Sequence, residues 1–486
     1  MSNQVFASID EAKDFLYSKF GKDVSFDVCI KDLHVRTLPI LCVYISGLVD
    51  AATLTVQLTP LFTHTFDNEK HEIAIEDEAQ YFDDHFNFYG KSEPKDKDEF
   101  ILGVLSGQVG ILTAHGFGYL LELRNYPGRQ PEEPENEKVI RGSRDGFAEN
   151  IMLNTALIRR RIRDPQLRFE LHKVSTLGQT DVAISYMKDI VNPKHLEWLH
   201  KRLKEIKHDG LTMSDKSLEE WLFKQKFHPL PFVRYSERPD IVAAHLLEGH
   251  IALVVDTSPS VIIMPVSMFH LLQHAEEYRQ SPLIGTTFRF LRYFAAFFSL
   301  TLLPIWYLLA TNEQYLPAGL DFIGAKEKSE IPLYLQIIIA HLGLEYLRIA
   351  AIHTPTPLST AMGLVAGIII GQIAIDVGLF SPEVVLYSAV TAIFSFSIPT
   401  PELSTAVKYF QFFILLATVA AGPSGFFISI WIIFSYLCSL KPMTVPYMWP
   451  FVPFFPKAFS RIFIRFPMAD DALRPYIVGA KQRKRA

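Results

Sequence analysis

The segments "VLSGQVGIL" (residues 104–112) and "LLEGHIALV" (residues 246–254) each carry a glycine followed by an apolar run. Gly107 and Gly249 lie 142 positions apart. So do Tyr44 and Tyr186, in "VYISGLVDA" (residues 43–51) and "SYMKDIVNP" (residues 185–193). Two separate segments sharing one offset predict an internal duplication, each copy an α/β unit. In the second copy, "HIALVVDTSPSVIIMP" reads as two strands joined by a turn at Asp256-Thr257-Ser258-Pro259. In the first, "QVGILTAHGFGYLLEL" turns around His115-Gly116. Asp256 and Ser258 are read as turn residues, because a catalytic Asp/Ser pair needs a histidine that the fold must place.

The same offset relates "IDEAKDFLYSKF" (residues 9–20) to the segment around "ALIRRRIRDP", so an arginine-rich stretch becomes the first helix of the second copy. Six arginines, Arg141, Arg144, Arg159, Arg160, Arg161 and Arg163, fall within 23 residues of a chain whose net charge is -5. Ser8 and Glu11 have the spacing of a capping box for the first helix. Asp145 is assigned as the N-cap of the second, and Asp164-Pro165 as its end. Phe147, Ile151, Asn154, Ile158 and Ile162 share one helical face, while Arg159, Arg160 and Arg163 lie mostly off it. Those three arginines therefore read either as a solvated face, where each ion pair is worth little, or as a contact with a neighbouring subunit or a membrane surface. A pI near 6.4 argues against nucleic acid as the partner.

Composition divides the chain. Apolar residues make up 49%, phenylalanine numbers 38, and mean hydropathy is +0.17. Only twelve charged residues lie between Tyr293 and Leu440, and none between Gln411 and Leu440. The reading is an α/β region of two duplicated subdomains (1–130 and 131–283), an α-helical membrane domain (284–441), and a basic, aromatic interfacial tail (442–486). The N-terminus shows neither the basic nor the apolar segment of a signal peptide, so the α/β region is expected in the cytosol. Cys29, Cys42 and Cys438 lack metal-site spacing and fit buried thiols in a reducing compartment. No phosphate-binding loop, dinucleotide fingerprint, zinc-protease motif or nucleophile elbow occurs. The chain is read as a non-enzyme without cofactor or bound metal.

Within the membrane half, a first span runs from Tyr293 to Ala310, with Arg289 and Arg292 at its start and Trp306 and Tyr307 toward the far interface. Residues 332–353 form a second, with His341, Glu345 and Arg348 on one face. Charges at membrane depth need partners, and Glu345 and Arg348 can serve each other. A metal site from His341 and Glu345 lacks further ligands. A third helix, about Leu358 to Phe380, has Gly363, Gly367 and Gly371 on one stripe and Val365, Ile369, Gln372 and Asp376 opposite. The stripe lets another helix approach closely; the opposite face is read as pore-lining, or Asp376 as a mere helix cap near Gly378. A fourth helix spans Pro382 to Ile398, and two short ones lie between Lys408 and Leu440, broken at Gly422-Pro423. That gives four to six spans.

The segments "EEPENEKVIRGSRDGFAENI", "NTALIRRRIRDP", "ERPDIVAAHLLEGHIALVVDTSP", "IGQIAIDVGLFSPE" and "VPYMWPFVPF" together resemble the A subunits of the GerA family of spore-germination receptors, over nearly the whole chain. The resemblance implies a two-subdomain cytosolic part, a multi-pass part in the spore inner membrane, and no enzyme activity; the unsignalled N-terminus and the basic tail themselves predict that both ends are cytoplasmic. It also implies a homo-oligomeric ring acting as an ion channel that promotes ion release from the spore core. Other germination receptor or SpoVA-type membrane proteins and membrane lipid are the implied partners, with nucleic acid excluded. Nutrient binding in the family falls mainly to separate B subunits, so no nutrient pocket carries over. Two other functions stay open at this point: a non-conducting scaffold that clusters receptors, and a component of dipicolinic acid transport, which needs paired cations at membrane depth where Arg348 alone qualifies.

Overall fold

The computed structural model describes residues 4–21, 23–35, 38–63, 81–82, 90–126, 134, 137–139, 141–312, 314, 324, 331–353, 365, 367–467 and 473–485. Two compact units emerge. One comprises Met1–Lys226, Phe232–Val266 and Met468–Ala486; the other comprises Phe227–Pro231 and Ser267–Pro467.

The first unit holds two antiparallel sheets of five strands. In the first copy, β1 (Val28–Val35), β2 (Leu38–Ile45), β3 (Lys91–Ser92), β4 (Val109–Leu112) and β5 (Gly118–Leu121) stand in the order β1-β2-β4-β5-β3. In the second, β6 (Leu167–Val174), β7 (Thr180–Met187), β8 (Arg234–Ser236), β9 (Ile251–Val255) and β10 (Val261–Met264) stand in the order β6-β7-β9-β10-β8. The two orders are the same. Helices Ile9–Phe20 and Ile151–Arg161 lead the copies, and Lys97–Leu105 and Pro239–Glu248 precede Gly107 and Gly249. Gly107 (φ 91°) and Gly249 (φ 102°) turn each helix into its strand through a left-handed backbone that a side chain would strain. Strands β4 and β9 that follow are buried along their length, between cores on both faces of the sheet. Leu16, Phe100 and Val104 fill one face of the first sheet, and Ile40, Phe82 and Tyr119 the other. Thr257 (φ 66°) and Gly116 (φ 81°) take the tight positions of the two hairpins, where the sequence had put them.

The second unit is helical. Among the described residues, Pro282–Thr311, Leu333–Ala350 and Pro401–Ser439 are long and apolar enough to cross a membrane, and Pro382–Phe396 is a shorter apolar helix. The helical stretch Pro401–Ser439 is interrupted by non-helical backbone at Ala421 (φ -132°) and Gly422 (φ 59°), so two helices meet at a kink where the break was expected. Leu303, Trp306, Ile337, Val384 and Leu415 form a core between these helices. Trp306 is 1% exposed and stacked on Tyr387 at 4.8 Å, so it belongs to that core and not to an interfacial belt.

Two boundaries move. The second unit starts at Ser267, seventeen residues before the expected 284, because the first long helix begins at Pro282 and is anchored by the segment before it. There Glu277, fully buried, accepts from Arg289 Nε at 2.7 Å and pairs with Arg292. The C-terminal segment also departs from the interfacial reading: residues 473–485 pack on the second copy. Arg474 Nε donates to the Leu247 carbonyl at 2.9 Å, Lys481 N to the Ile190 carbonyl at 2.9 Å, and Arg485 pairs with Glu248.

Candidate functional site

The arginine helix, Ile151–Arg161, is capped by Asn150, whose side chain accepts from Met152 N at 2.9 Å and Leu153 N at 3.1 Å. Asp145, the expected cap, instead accepts from Arg161 at 2.7 Å and 2.6 Å. The second hairpin turn contributes as well: the Asp256 carboxylate accepts from Ile151 N at 3.1 Å. The apolar face falls where its spacing put it, with Phe147, Ile151, Asn154, Ile158 and Ile162 all buried.

Arg159 overturns part of the subunit-contact reading. It is 0% exposed and reaches into the other copy, with Nε 2.7 Å from Asp27 Oδ2 and Nη2 3.1 Å from Asp27 Oδ1. Its remaining donors meet the carbonyls of Asp164 at 3.2 Å and Leu167 at 3.1 Å, and its guanidinium lies 5.0 Å from the Phe169 ring centroid. A buried charge fixed this fully inside its own chain has nothing left to offer a neighbouring subunit. Arg168 adds a second tie between the copies, donating to the Lys19 carbonyl at 2.8 Å. Arg160 and Arg163 stay exposed, Arg160 with its guanidinium 4.6 Å from the Tyr126 ring. The sequence separated these arginines correctly from the apolar stripe. It could not show that the helix packs on two sides.

In the membrane unit, Glu345 and Arg348 pair as their spacing predicts, at 3.0 Å and 2.8 Å. The sequence missed the second partner. Lys408, on the helix Pro401–Ser439, also bonds Glu345, so one carboxylate holds a cation of its own helix and ties that helix to a second through Lys408. The only signal was a lone lysine in an otherwise apolar helix, which at membrane depth requires a counter-charge. His341 is buried beside this group, edge-on to Phe412 at 4.9 Å, and neither ring nitrogen has a hydrogen-bond partner among the described residues.

Of the glycine stripe, Gly363 lies outside the described residues. Gly367 and Gly371 have no neighbouring atom within 4 Å of where a side chain would begin, so the stripe is not covered by this chain's own described helices. Opposite, Val365 (54%) and Ile369 (51%) are exposed, as are Gln372 and Asp376. A π-helical turn occupies Ile369–Ile373, and the helix stops at Gly378 (φ 73°). Ala374 and Phe380 anchor it on the bundle core.

Duplicated α/β units joined to a bundle with three helices able to cross a membrane define a membrane protein with a large extramembranous part. The chain belongs to the Bacillus/Clostridium GerA spore germination protein family, whose model matches residues 14–477. It is 43% identical over 483 residues to stage V sporulation protein AF of Bacillus subtilis (strain 168), spanning 99% of this chain and 97% of that one. It is also 29% identical to spore germination protein KA of the same organism, over 99% of this chain and 89% of that one. Spore germination protein GerLA of Bacillus cereus is 31% identical over 79% of this chain and 78% of that one. Among solved structures, the N-terminal domain of the A subunit of the Bacillus megaterium spore germinant receptor GerK3 matches at 26% identity. It covers 55% of this chain and 97% of that chain, with a TM-score of 0.42.

Proposed function

We propose that this protein assembles as a homo-oligomer in the spore inner membrane and conducts ions out of the spore core during germination, together with receptor or SpoVA-type membrane proteins. In this reading it is not an enzyme, and both ends of the chain are cytoplasmic. One observation carries the proposal. The helix from Val365 to Asp376 presents two faces, a glycine stripe and an apolar-then-polar row, that no described part of the chain covers.

Small residues suit close approach of a helix from a second copy. The row opposite then turns to the axis of a ring, with Val365 and Ile369 as an apolar constriction and Gln372 and Asp376 as a polar ring. Asp376 sits in the last turn of its helix, where the negative end of the helix dipole already repels a carboxylate. As a cap it would be unfavourable, whereas a passing cation is attracted by both the carboxylate and the terminal carbonyls. Arg348 and Lys408 are both engaged by Glu345. That leaves neither as a ready site for a dianion such as dipicolinate.

Ion flux from the purified chain in liposomes tests this. Val365→Ala or Ile369→Ala should raise leak, and Asp376→Asn should lower preference for cations over anions. No flux from the intact chain, or flux indifferent to all three substitutions, favours the non-conducting scaffold.

A further inference from the structure

Glu170 and His172 lie two residues apart on β6, the edge strand of the second sheet, and so project from one face. His200, on the helix Pro193–Glu205, meets them there. Its Nε2 is 2.7 Å from Glu170 Oε2, and His172 Nε2 is 3.5 Å from the same oxygen. All three atoms lie within 4.8 Å of one another. His172 Nε2 is shielded from solvent and makes no hydrogen bond among the described residues. The other oxygen, Glu170 Oε1, is held by the Tyr186 hydroxyl.

The duplication supplies an internal control. Pairing register places Lys31, opposite Cys42, where the second copy has Glu170 opposite Ile184; Leu33, opposite Ile40, takes the place of His172 opposite Val182. The 142-residue offset that relates Tyr44 to Tyr186 gives Leu58 as the counterpart of His200. Leu33 and Leu58 pack on the first copy's core beside Tyr44. The fold therefore closes this face with leucine side chains, and does not itself call for a carboxylate between two imidazoles.

We propose that Glu170, His172 and His200 form a binding site for a divalent transition-metal ion of the zinc class, with water in the fourth position. Two imidazole nitrogens and a carboxylate oxygen are a zinc ligand set. Metal–ligand bonds of about 2.1 Å put neighbouring ligand atoms of a tetrahedron about 3.4 Å apart. The Glu170–His172 separation already has that value, and the shorter Glu170–His200 hydrogen bond opens when the ion replaces its proton. Tyr186 orients the carboxylate from behind, the part outer-shell groups play at metal sites. Partial burial pushes the Glu170 carboxyl up, but the imidazoles of His172 and His200 and the Tyr186 hydroxyl outweigh it and hold the group well below the usual carboxylate range. The side chains of His172 and His200 are 35% and 34% exposed, so the cluster lies near the surface. The bound ion would staple the edge strand to its helix.

The test uses the full chain, free of any histidine tag, purified in detergent and stripped with a chelator. Titration with Zn²⁺ should give one ion per chain, and Co²⁺ should give the visible absorption of a four-coordinate site. His172→Leu and His200→Leu install the first copy's residues and so keep the fold. Each should weaken binding by more than about 100-fold, since even outer-shell groups are worth about 10- to 100-fold. Zn²⁺ should raise the unfolding temperature of the parent chain and not of the variants. Absence of binding at micromolar Zn²⁺, or equal binding by the folded double variant, overturns the site and leaves a plain hydrogen-bonded network.

Discussion

In the first copy of the α/β unit, Leu33 and Leu58 close one face beside Tyr44; in the second, His172 and His200 stand in those places beside Tyr186, with Glu170 where the first has Lys31. The leading helices differ just as much. Helix Ile9–Phe20 buries Ala12, Leu16 and Phe20 and leaves its lysines half-exposed. Helix Ile151–Arg161 buries Arg159 as well, and sends it to Asp27 of the first copy. Duplicated backbones thus share what the sheet requires, apolar central strands and glycine at the helix-to-strand turn. They diverge wherever a side chain is free to meet something other than its own core. One copy became the acceptor and the other the donor of a buried ion pair, so that neither is complete alone.

The sharpest way to break this comparison is the pair itself. Arg159→Ala and Asp27→Ala each leave an unpaired buried charge and should each cost about 3–5 kcal/mol of stability in denaturant titrations. The double variant should be far less destabilised than the two costs added together. Simple additivity would mean the copies are joined by other contacts and the pair is incidental.

A second test sets the second copy's buried histidines against acid. Burial pushes the imidazoles of His195 and His250 down, to about 4 and about 3, and that of His245 well below its usual value. Unfolded, each takes a proton near pH 6.5. The stability they contribute is therefore full above pH 6.5 and declines as pH falls toward 4, by roughly 1.4 kcal/mol per pH unit for each histidine. Replacing His195 with Asn should flatten the slope between pH 6.5 and 4; an unchanged slope would place the acid sensitivity elsewhere.

The smallest effect is expected on the outer side of the arginine helix. Reversing Arg160 and Arg163 to Glu should cost only about 1 kcal/mol, from the lost Arg160–Tyr126 contact and the reversed charge at the helix end. If these two exposed arginines meet an acidic surface of a neighbouring subunit, the same change shifts the native-gel species to smaller size. An unaltered size leaves them as a solvated face.

Much of the architecture was legible because it is written in short-range pattern. The 142-residue offset of Gly107/Gly249 and Tyr44/Tyr186, the hairpin at Asp256-Thr257-Ser258-Pro259 and the buried face from Phe147 to Ile162 all follow from spacing and turn chemistry. The same holds for the apolar spans, the Glu345–Arg348 pair and the break at Gly422. Helix ends were less legible. Asn150 displaced Asp145 as cap because both residue types accept from free backbone N–H groups, and the choice fell to Arg161, which takes Asp145.

Sequence by itself determined the duplication, the division into an α/β and a helical part, and the family, because period, composition and motif are properties of neighbouring residues. The tertiary structure alone decided the partners: Arg159 with Asp27 across 132 positions, Glu345 with Lys408 across 63, and His200 with Glu170 across 30. Periodicity tells which side of an element turns inward and says nothing of what waits there. For a charge the difference is decisive, since the same arginine is a weak surface contact in water and a costly, fully bonded clamp once a second domain closes over it.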